Sequence, residues 1–261
     1  MKKKLGIIFL LALTLQSFAN KIDSNAIKTA KHAIQFSLGL HQFQEKNLHN
    51  KPYRGISYQI AYSISWNKKN YSTFQFSILN SHNKPTIERE LSSMNASIQL
   101  GYAYLWEIVN KNNWEYFLGP AAQLHYNASY LPNWDESHLY WSNSLQLKLN
   151  QRLKYNFKNN HNLSLNIDLP IIGGLSRPDT QRDYKLDDLT GKGVLKAFHS
   201  NINFTQLIKN FQISVNAEYE FPRKSKAIPS LFYHFSLLNF KANNSQNFKS
   251  INNSIGVKWQ L

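Results

Sequence analysis

The sequence contains no cysteine, and after its first residues it has no apolar run approaching the ~20 residues of a membrane-spanning helix. Without cysteine there are no disulfides, no lipoprotein attachment site and no thiolate metal site. No spacing of His, Asp and Glu matches a metal site, and no glycine-rich phosphate loop is present. The sequence therefore predicts neither a metal nor a cofactor.

The N-terminus has the three parts of a secretory signal peptide. A basic start at Lys2–Lys4 precedes an apolar run from Leu5 to Leu15, and a small-x-small site follows at Ser17-Phe18-Ala19. We expect residues 1–19 to be cleaved after export through the general secretory route. Residues 20–261 are then a single domain.

Strict alternation dominates the rest of the chain. Between Gly55 and Trp66, even positions from Ile56 are apolar or aromatic, and odd positions from Ser57 are small or polar. Because side chains alternate across a strand, this segment has one apolar face and one polar face. The same pattern predicts strands at 33–43, 55–66, 71–80, 93–107, 113–128, 139–156, 162–170, 195–206, 210–221, 229–240 and 249–261.

The connections between these strands alternate in length. The short ones are Asn67–Asn70, Val109–Asn113, Lys158–Asn162, Ile208–Asn210 and Lys241–Asn247, and the longer ones are 44–54, 81–92, 129–138, 171–194 and 222–228. Aromatic residues such as Trp66 and Tyr71 bracket the short turns, as in the girdles of membrane barrels. We predict an all-β, antiparallel, up-and-down transmembrane β-barrel in a bacterial outer membrane.

This pattern predicts an odd number of strands. Eleven predicted strands would leave the two chain ends on opposite sides, whereas bacterial barrels of this type have an even number. We expect about 12 strands, with the additional one in 171–194. The alternative is 10 strands, with one of the eleven false.

Over nearly all of its mature length the sequence resembles small outer-membrane β-barrel proteins. Ile255, Val257 and Trp259 alternate along the last strand, as in the C-terminal strands that the outer-membrane assembly machinery recognises. The resemblance implies that this machinery is a partner. We predict a non-enzymatic barrel of structural, surface-interacting or passively conducting role. The alternatives are a lipid-modifying enzyme of the phospholipase or lipid A deacylase type, and a small porin for polar solutes.

The enzyme alternative depends on a His-x-Ser pair on the lipid-facing side of a strand. His234-Phe235-Ser236 has the spacing, but its apolar neighbours take the lipid face, so His234 and Ser236 are predicted to point inward. The adjacent His199 and Ser200 point to opposite faces. We therefore predict no catalytic residue.

The polar face predicts a charged network inside the barrel. A turn near Lys158 places Lys148 roughly opposite Asp168, and a two-residue turn at Ile208-Lys209 places His199 opposite Glu218. This network is either a packed lumen that closes a narrow barrel or the lining of a polar conduit or binding pocket. Its candidate members are Lys148, Arg152, Asp168, His199, Glu218 and Glu220.

Basic residues outnumber acidic ones, with 30 Lys and Arg against 15 Asp and Glu. The charge is scattered, and no nucleic-acid module accompanies it, so we expect no nucleic-acid partner. Scattered charge can simply fill solvated turns, or it can attract outer-membrane lipids and lipopolysaccharide. Within the long loop 171–194, Arg177, Asp179 and Arg182 are candidate surface contacts.

Overall fold

A computed structural model describes residues 30–45, 51–67, 69–85, 92–132, 138–177, 190, 192–193, 196, 199, 203–206, 210–222, 228–241 and 247–261. The predicted signal peptide lies outside these residues, as do Asp179 and Arg182. No described helix is long and apolar enough to cross a membrane.

The described residues form one antiparallel sheet that closes on itself. Its strands are β1 (Ala30–Glu45), β2 (Pro52–Asn67), β3 (Tyr71–Pro85), β4 (Ser93–Lys111), β5 (Trp114–Leu131), β6 (His138–Asn156), β7 (Asn162–Ser176), β8 (Asn203–Gln206), β9 (Asn210–Glu220), β10 (Ile228–Lys241) and β11 (Asn247–Gln260). Around the barrel the neighbouring strands are, in order, β6, β5, β4, β3, β2, β1, β11, β10, β9 and β7. Pairing of β7 with β6 closes the sheet.

Strands β8 and β9 are two parts of one barrel strand. Both run antiparallel to β7, where Gln206 pairs with Ile172 and Ser214 pairs with Asp168. The barrel therefore has 10 strands, as in the alternative prediction, and the expectation of about 12 is wrong. Asn and Lys near residues 208–210 indicated a reversal of the chain, but such residues are equally compatible with an interruption within a strand.

Because the strand number is even, β1 begins and β11 ends at the same end of the barrel. This inner end also has the β2–β3, β4–β5, β6–β7 and β9–β10 connections, and the opposite, outer end has the others. The sequence prediction assigned two connections to the wrong ends: the 222–228 connection lies at the inner end and the 241–247 connection at the outer end. By the convention of outer-membrane barrels, the inner end is periplasmic.

The two faces of the sheet have opposite chemistry because side chains alternate along each strand. Large apolar side chains are exposed on the outside, among them Leu40 (67% exposed), Ile56 (64%) and Ile255 (65%). Serine, asparagine and glutamine dominate the buried inward positions. A continuous apolar outer surface of this kind requires lipid around it, which confirms the predicted transmembrane barrel.

Turn chemistry and aromatic rings mark the inner end. Asn112 and Asn113 form the β4–β5 turn with φ of 53° and 70°, a conformation that asparagine tolerates better than most residues. Beside this turn, the rings of Trp114 and Tyr155 lie 4.6 Å apart, and those of Tyr155 and Phe157 lie 4.8 Å apart. Trp114 and Phe157 are exposed at this end, which fits the predicted aromatic girdle. Other aromatic residues beside predicted short turns do not fit it, because Tyr71 faces the lumen and Phe240 and Phe248 are buried near the outer end.

Candidate functional site in the barrel lumen

A buried apolar cluster fills the lumen near its outer end, and we call it the outer seal. It consists of Phe43, Tyr53, Leu131, Leu175, Leu238, Phe240 and Phe248. These side chains come from six strands, including β5 and β11 on opposite walls of the barrel. The cluster therefore reaches across the lumen and does not merely coat one wall.

An ion pair joins the seal from two sides of the barrel. Arg177 follows β7 and donates from Nη2 to Glu45 Oε2 at the end of β1, at 2.6 Å. Glu45 is 0% exposed and Arg177 is 6% exposed. The guanidinium of Arg177 lies 5.4 Å from the ring centre of Tyr140 and 5.6 Å from that of Phe248. The ion pair and the rings together form one layer across the lumen.

This position corrects the prediction for Arg177. Mixed charge in the 171–194 segment indicated a solvated surface contact, yet Arg177 is buried inside the barrel mouth. Its partner Glu45 lies 132 residues away along the chain, so local composition gave no sign of the pair.

Two polar cavities adjoin below the outer seal. The larger has a volume of about 140 Å³ and the smaller about 50 Å³. They share five lining residues, Gln59, Gln99, Gln212, His234 and Ser236. Because these side chains line both cavities, the two spaces form one polar compartment divided by a narrow region.

The two halves of the lumen wall differ in charge. The inward positions within 33–43, 53–65, 71–83, 93–105 and 117–131, on β1 to β5, include no Asp, Glu, Lys or Arg. The amide side chains of this neutral wall that line the larger cavity are Gln35, Gln59, Gln75, Gln99 and Gln123. The charged residues that line the larger cavity, Arg152, Asp168, Glu218 and Lys258, lie on the other wall, on β6, β7, β9 and β11.

On the charged wall, the carboxylates of Glu218 and Asp168 each accept two hydrogen bonds from neighbouring side chains. Glu218 accepts from Lys258 Nζ at 2.9 Å and from the Ser230 hydroxyl at 2.7 Å. Asp168 accepts from the Ser214 hydroxyl at 2.8 Å and from the amide of Asn150. Hydrogen bonds thus stabilise both carboxylates, and Lys258 compensates the charge of Glu218.

The cations of β6 reach toward the neutral wall. Lys148 donates to Gln123 Oε1, and Gln123 Nε2 donates in turn to Gln99 Oε1 at 3.2 Å. Arg152 extends toward β3 and lies 4.1 Å above the ring centre of Tyr71. Since β6 and β3 are separated by two strands, this cation–π contact narrows the lumen on its inner side.

Five of the six residues of the predicted network face the lumen. Lys148, Arg152, Asp168 and Glu218 have the contacts just described, and Glu220 accepts from the Asn162 amide at 3.2 Å. The predicted pairing of Lys148 with Asp168 is shifted: Asn150 faces Asp168 and Lys148 faces Pro170. Asn156 pairs with Asn162, so the chain reverses about one residue later than predicted, and this moves the partner of Asp168 from Lys148 to Asn150.

His199 is not part of the lumen network. It lies exposed in a turn, and its Nε2 is 2.9 Å from the hydroxyl of Tyr126 on the outward face of β5. Its predicted partner Glu218 instead pairs with Lys258, which the sequence reasoning did not select. The alternation of side chains places Lys258 on the polar face of the last strand. Its contact with Glu218 depends on the registers of β10 with β9 and with β11.

His234 and Ser236 both line the two cavities, which confirms their predicted inward orientation. Neither therefore faces lipid. No three His, Cys, Asp or Glu side chains of the described segments are placed to hold a metal ion.

The sequence matches no protein-family model and no curated protein. Its fold is similar to that of the outer membrane protease OmpT from Escherichia coli, at a TM-score of 0.59 and 8% identity over 89% of this chain and 96% of that one. The translocator domain of the autotransporter NalP from Neisseria meningitidis aligns at a TM-score of 0.40 and 9% identity, over 99% of this chain and 97% of that one. The neisserial surface protein NspA aligns at 0.36 and 9% identity, over 87% and 95%. The chain has the fold of an outer-membrane β-barrel protein.

Proposed function

We propose that this protein is a non-enzymatic outer-membrane barrel with a closed lumen, which serves as a membrane-anchored scaffold for its outer loops. The observation that carries the proposal is the outer seal, whose apolar side chains and buried Arg177–Glu45 pair reach across the barrel mouth. A layer of buried aromatic and aliphatic side chains opposes the passage of water and ions.

Barrel size explains why such a layer is needed. A barrel of about 8 strands is narrow enough for side chains to fill, and this barrel of 10 strands is wider. The polar side chains leave cavities of about 140 Å³ and 50 Å³ between them. The outer seal therefore closes the lumen above these cavities. The contact of Arg152 with Tyr71 closes it on the inner side.

Conductance in planar bilayers tests the proposal. The wild type should conduct weakly or not at all. A variant without the seal and the inner contact, Arg152→Ala, Arg177→Ala and Phe248→Ala, should show steady conductance. The matched control is Lys154→Ala, which removes a cation at the inner rim without opening either layer, and it should remain silent. Large, steady wild-type conductance would overturn the proposal, and so would a silent triple variant that is folded.

A second candidate is a small porin for uncharged polar solutes, favoured by the amide-lined wall of the larger cavity. Neutral amide groups bind hydroxyl-rich solutes without selecting for charge. Swelling of proteoliposomes in neutral sugars distinguishes the two candidates. Swelling with the wild type would favour the porin, and swelling limited to the triple variant would favour the closed barrel.

The lipid-modifying enzyme is the least supported alternative, because His234 and Ser236 line the lumen and are separated from lipid by the barrel wall. Likeness to OmpT at 8% identity concerns the fold. His234→Ala and Ser236→Ala should leave the phospholipid and lipid A composition of the host unchanged. A hydrolase activity that either substitution abolishes would restore the enzyme alternative.

A further inference from the structure

A basic row borders the apolar belt on the outward face of β11, β1, β2 and β3. Leu40 and Ile56 face each other across β1 and β2 and are among the most exposed apolar side chains, at 67% and 64%. One outward-facing step closer to the outer end, Gln42 faces Arg54. The apolar belt thus ends abruptly at a row of polar and basic side chains.

Two cations of this row stand directly opposite each other. Arg54 on β2 pairs with Lys84 on β3, and both are exposed on the outside of the barrel. Lys249, also exposed, faces Gln44 on the neighbouring strand β1. Like charges at directly opposed positions of a sheet repel each other and destabilise it. An anion between Arg54 and Lys84 removes that repulsion.

The described protein supplies no such anion on this face. The outward-facing positions of β11, β1, β2 and β3 include no Asp or Glu within the described residues. Glu45 at the end of β1 faces inward, where Arg177 occupies it. The compensating negative charge must therefore come from outside these four strands.

We propose that Arg54 and Lys84 bind a phosphate of an outer-leaflet phosphorylated glycolipid, the lipopolysaccharide class, whose acyl chains lie along Leu40 and Ile56. Charge complementarity and depth support this occupant. The row lies where the apolar belt ends, at the level of lipid head groups, and at the barrel end that faces outward in outer-membrane proteins. Arginine can donate two parallel hydrogen bonds to a phosphate, and lysine adds a second positive charge beside it.

The exposed apolar pair below the row favours a lipid over a free anion. A soluble phosphate would contact only Arg54 and Lys84, whereas a phosphorylated lipid also covers Leu40 and Ile56. The binding site is then a patch on the outer surface of the barrel, independent of whether the lumen conducts.

Binding of purified lipopolysaccharide to the full, detergent-folded protein tests the proposal. The variant Arg54→Gln with Lys84→Gln should bind about tenfold more weakly or worse, since it loses two charge-assisted contacts. The matched control is Lys111→Gln with Lys158→Gln, two exposed cations at the inner end, which should bind as the wild type does. Heat-modified gel mobility checks that every variant is folded, and the single variants Arg54→Gln and Lys84→Gln should each show a partial loss.

Three further probes identify the ligand: dephosphorylated lipopolysaccharide, phosphatidylglycerol vesicles and inorganic phosphate. Weak binding of all three supports the proposal. Unchanged affinity of the double variant would overturn it, and so would equal losses in the control variant. Equal binding of dephosphorylated lipopolysaccharide, of phosphatidylglycerol or of inorganic phosphate alone would overturn the assignment to a phosphorylated glycolipid.

Discussion

Separating Arg177 from Glu45 should destabilise the barrel strongly, because the pair is buried in the outer seal. Glu45 is 0% exposed and Arg177 is 6% exposed, with 2.6 Å between Nη2 and Oε2. Removing one partner of a buried ion pair leaves an uncompensated charge and costs about 3–5 kcal/mol. We expect Arg177→Ala and Glu45→Ala each to fall in this range.

Removing both charges should cost much less than the sum of the two single changes. With neither charge left in the seal, the desolvation penalty that each single variant suffers disappears. Contacting residues typically show a coupling of about 0.5–3 kcal/mol, and this buried pair should lie near the upper end. Loss of the contacts of Arg177 with the rings of Tyr140 and Phe248 should keep the double variant less stable than the wild type.

Equilibrium unfolding in urea, with the barrel folded in lipid vesicles and followed by tryptophan fluorescence, measures these differences. The matched control is the Lys154–Glu115 pair at the inner end, where the charges are 3.4 Å apart and each side chain is 18% exposed. Lys154→Ala should cost no more than about 1 kcal/mol, because water still reaches this pair and the amide of Asn156 still donates to Glu115. Two results would contradict a buried, coupled pair. One is a loss of unfolding free energy in the Arg177 and Glu45 variants no larger than in this control, and the other is a double variant whose loss equals the sum of the two single losses.

Two other predictions concern the faces of the sheet. Ile60→Arg, on the lipid-facing side and 59% exposed, should destabilise the folded barrel by about 2–4 kcal/mol, as arginine does near the bilayer midplane. Ser63→Arg, beside the larger cavity, should cost less in the same unfolding assay, and equal costs would contradict the assignment of faces. Gly256→Ala should cost about 1–3 kcal/mol, because a Cβ there would lie 2.3 Å from the Phe36 carbonyl oxygen and 2.6 Å from the Phe232 ring. Gly101→Ala, whose nearest such contact is at 3.9 Å, is the control, and an equal loss of stability there would show that packing around Gly256 is not the cause.

The sequence by itself determined the fold class and the two faces of most strands. An alternation of period two needs no tertiary information, because backbone geometry fixes which side chains share a face. That is why the inward orientation of His234, Ser236 and Asp168 followed from the residues alone. The aromatic residues Trp114, Tyr155 and Phe157 also fitted the predicted inner end, but the same rule placed Phe240 and Phe248 there, and the structure buries them near the outer end.

Only the tertiary structure decided the strand number and the partners across the lumen. An Asn and Lys segment near 208–210 is compatible with either a turn or an interruption, and pairing of β8 and β9 with the same strand β7 distinguishes them. Lys258 reaches Glu218 because the registers of β9 with β10 and of β10 with β11 bring both side chains beside Ser230. Arg177 is buried because β1, far away in sequence, ends beside it with Glu45 facing inward. Local patterns fix the direction of each side chain, but which strands meet, and in what register, depends on how the whole sheet closes.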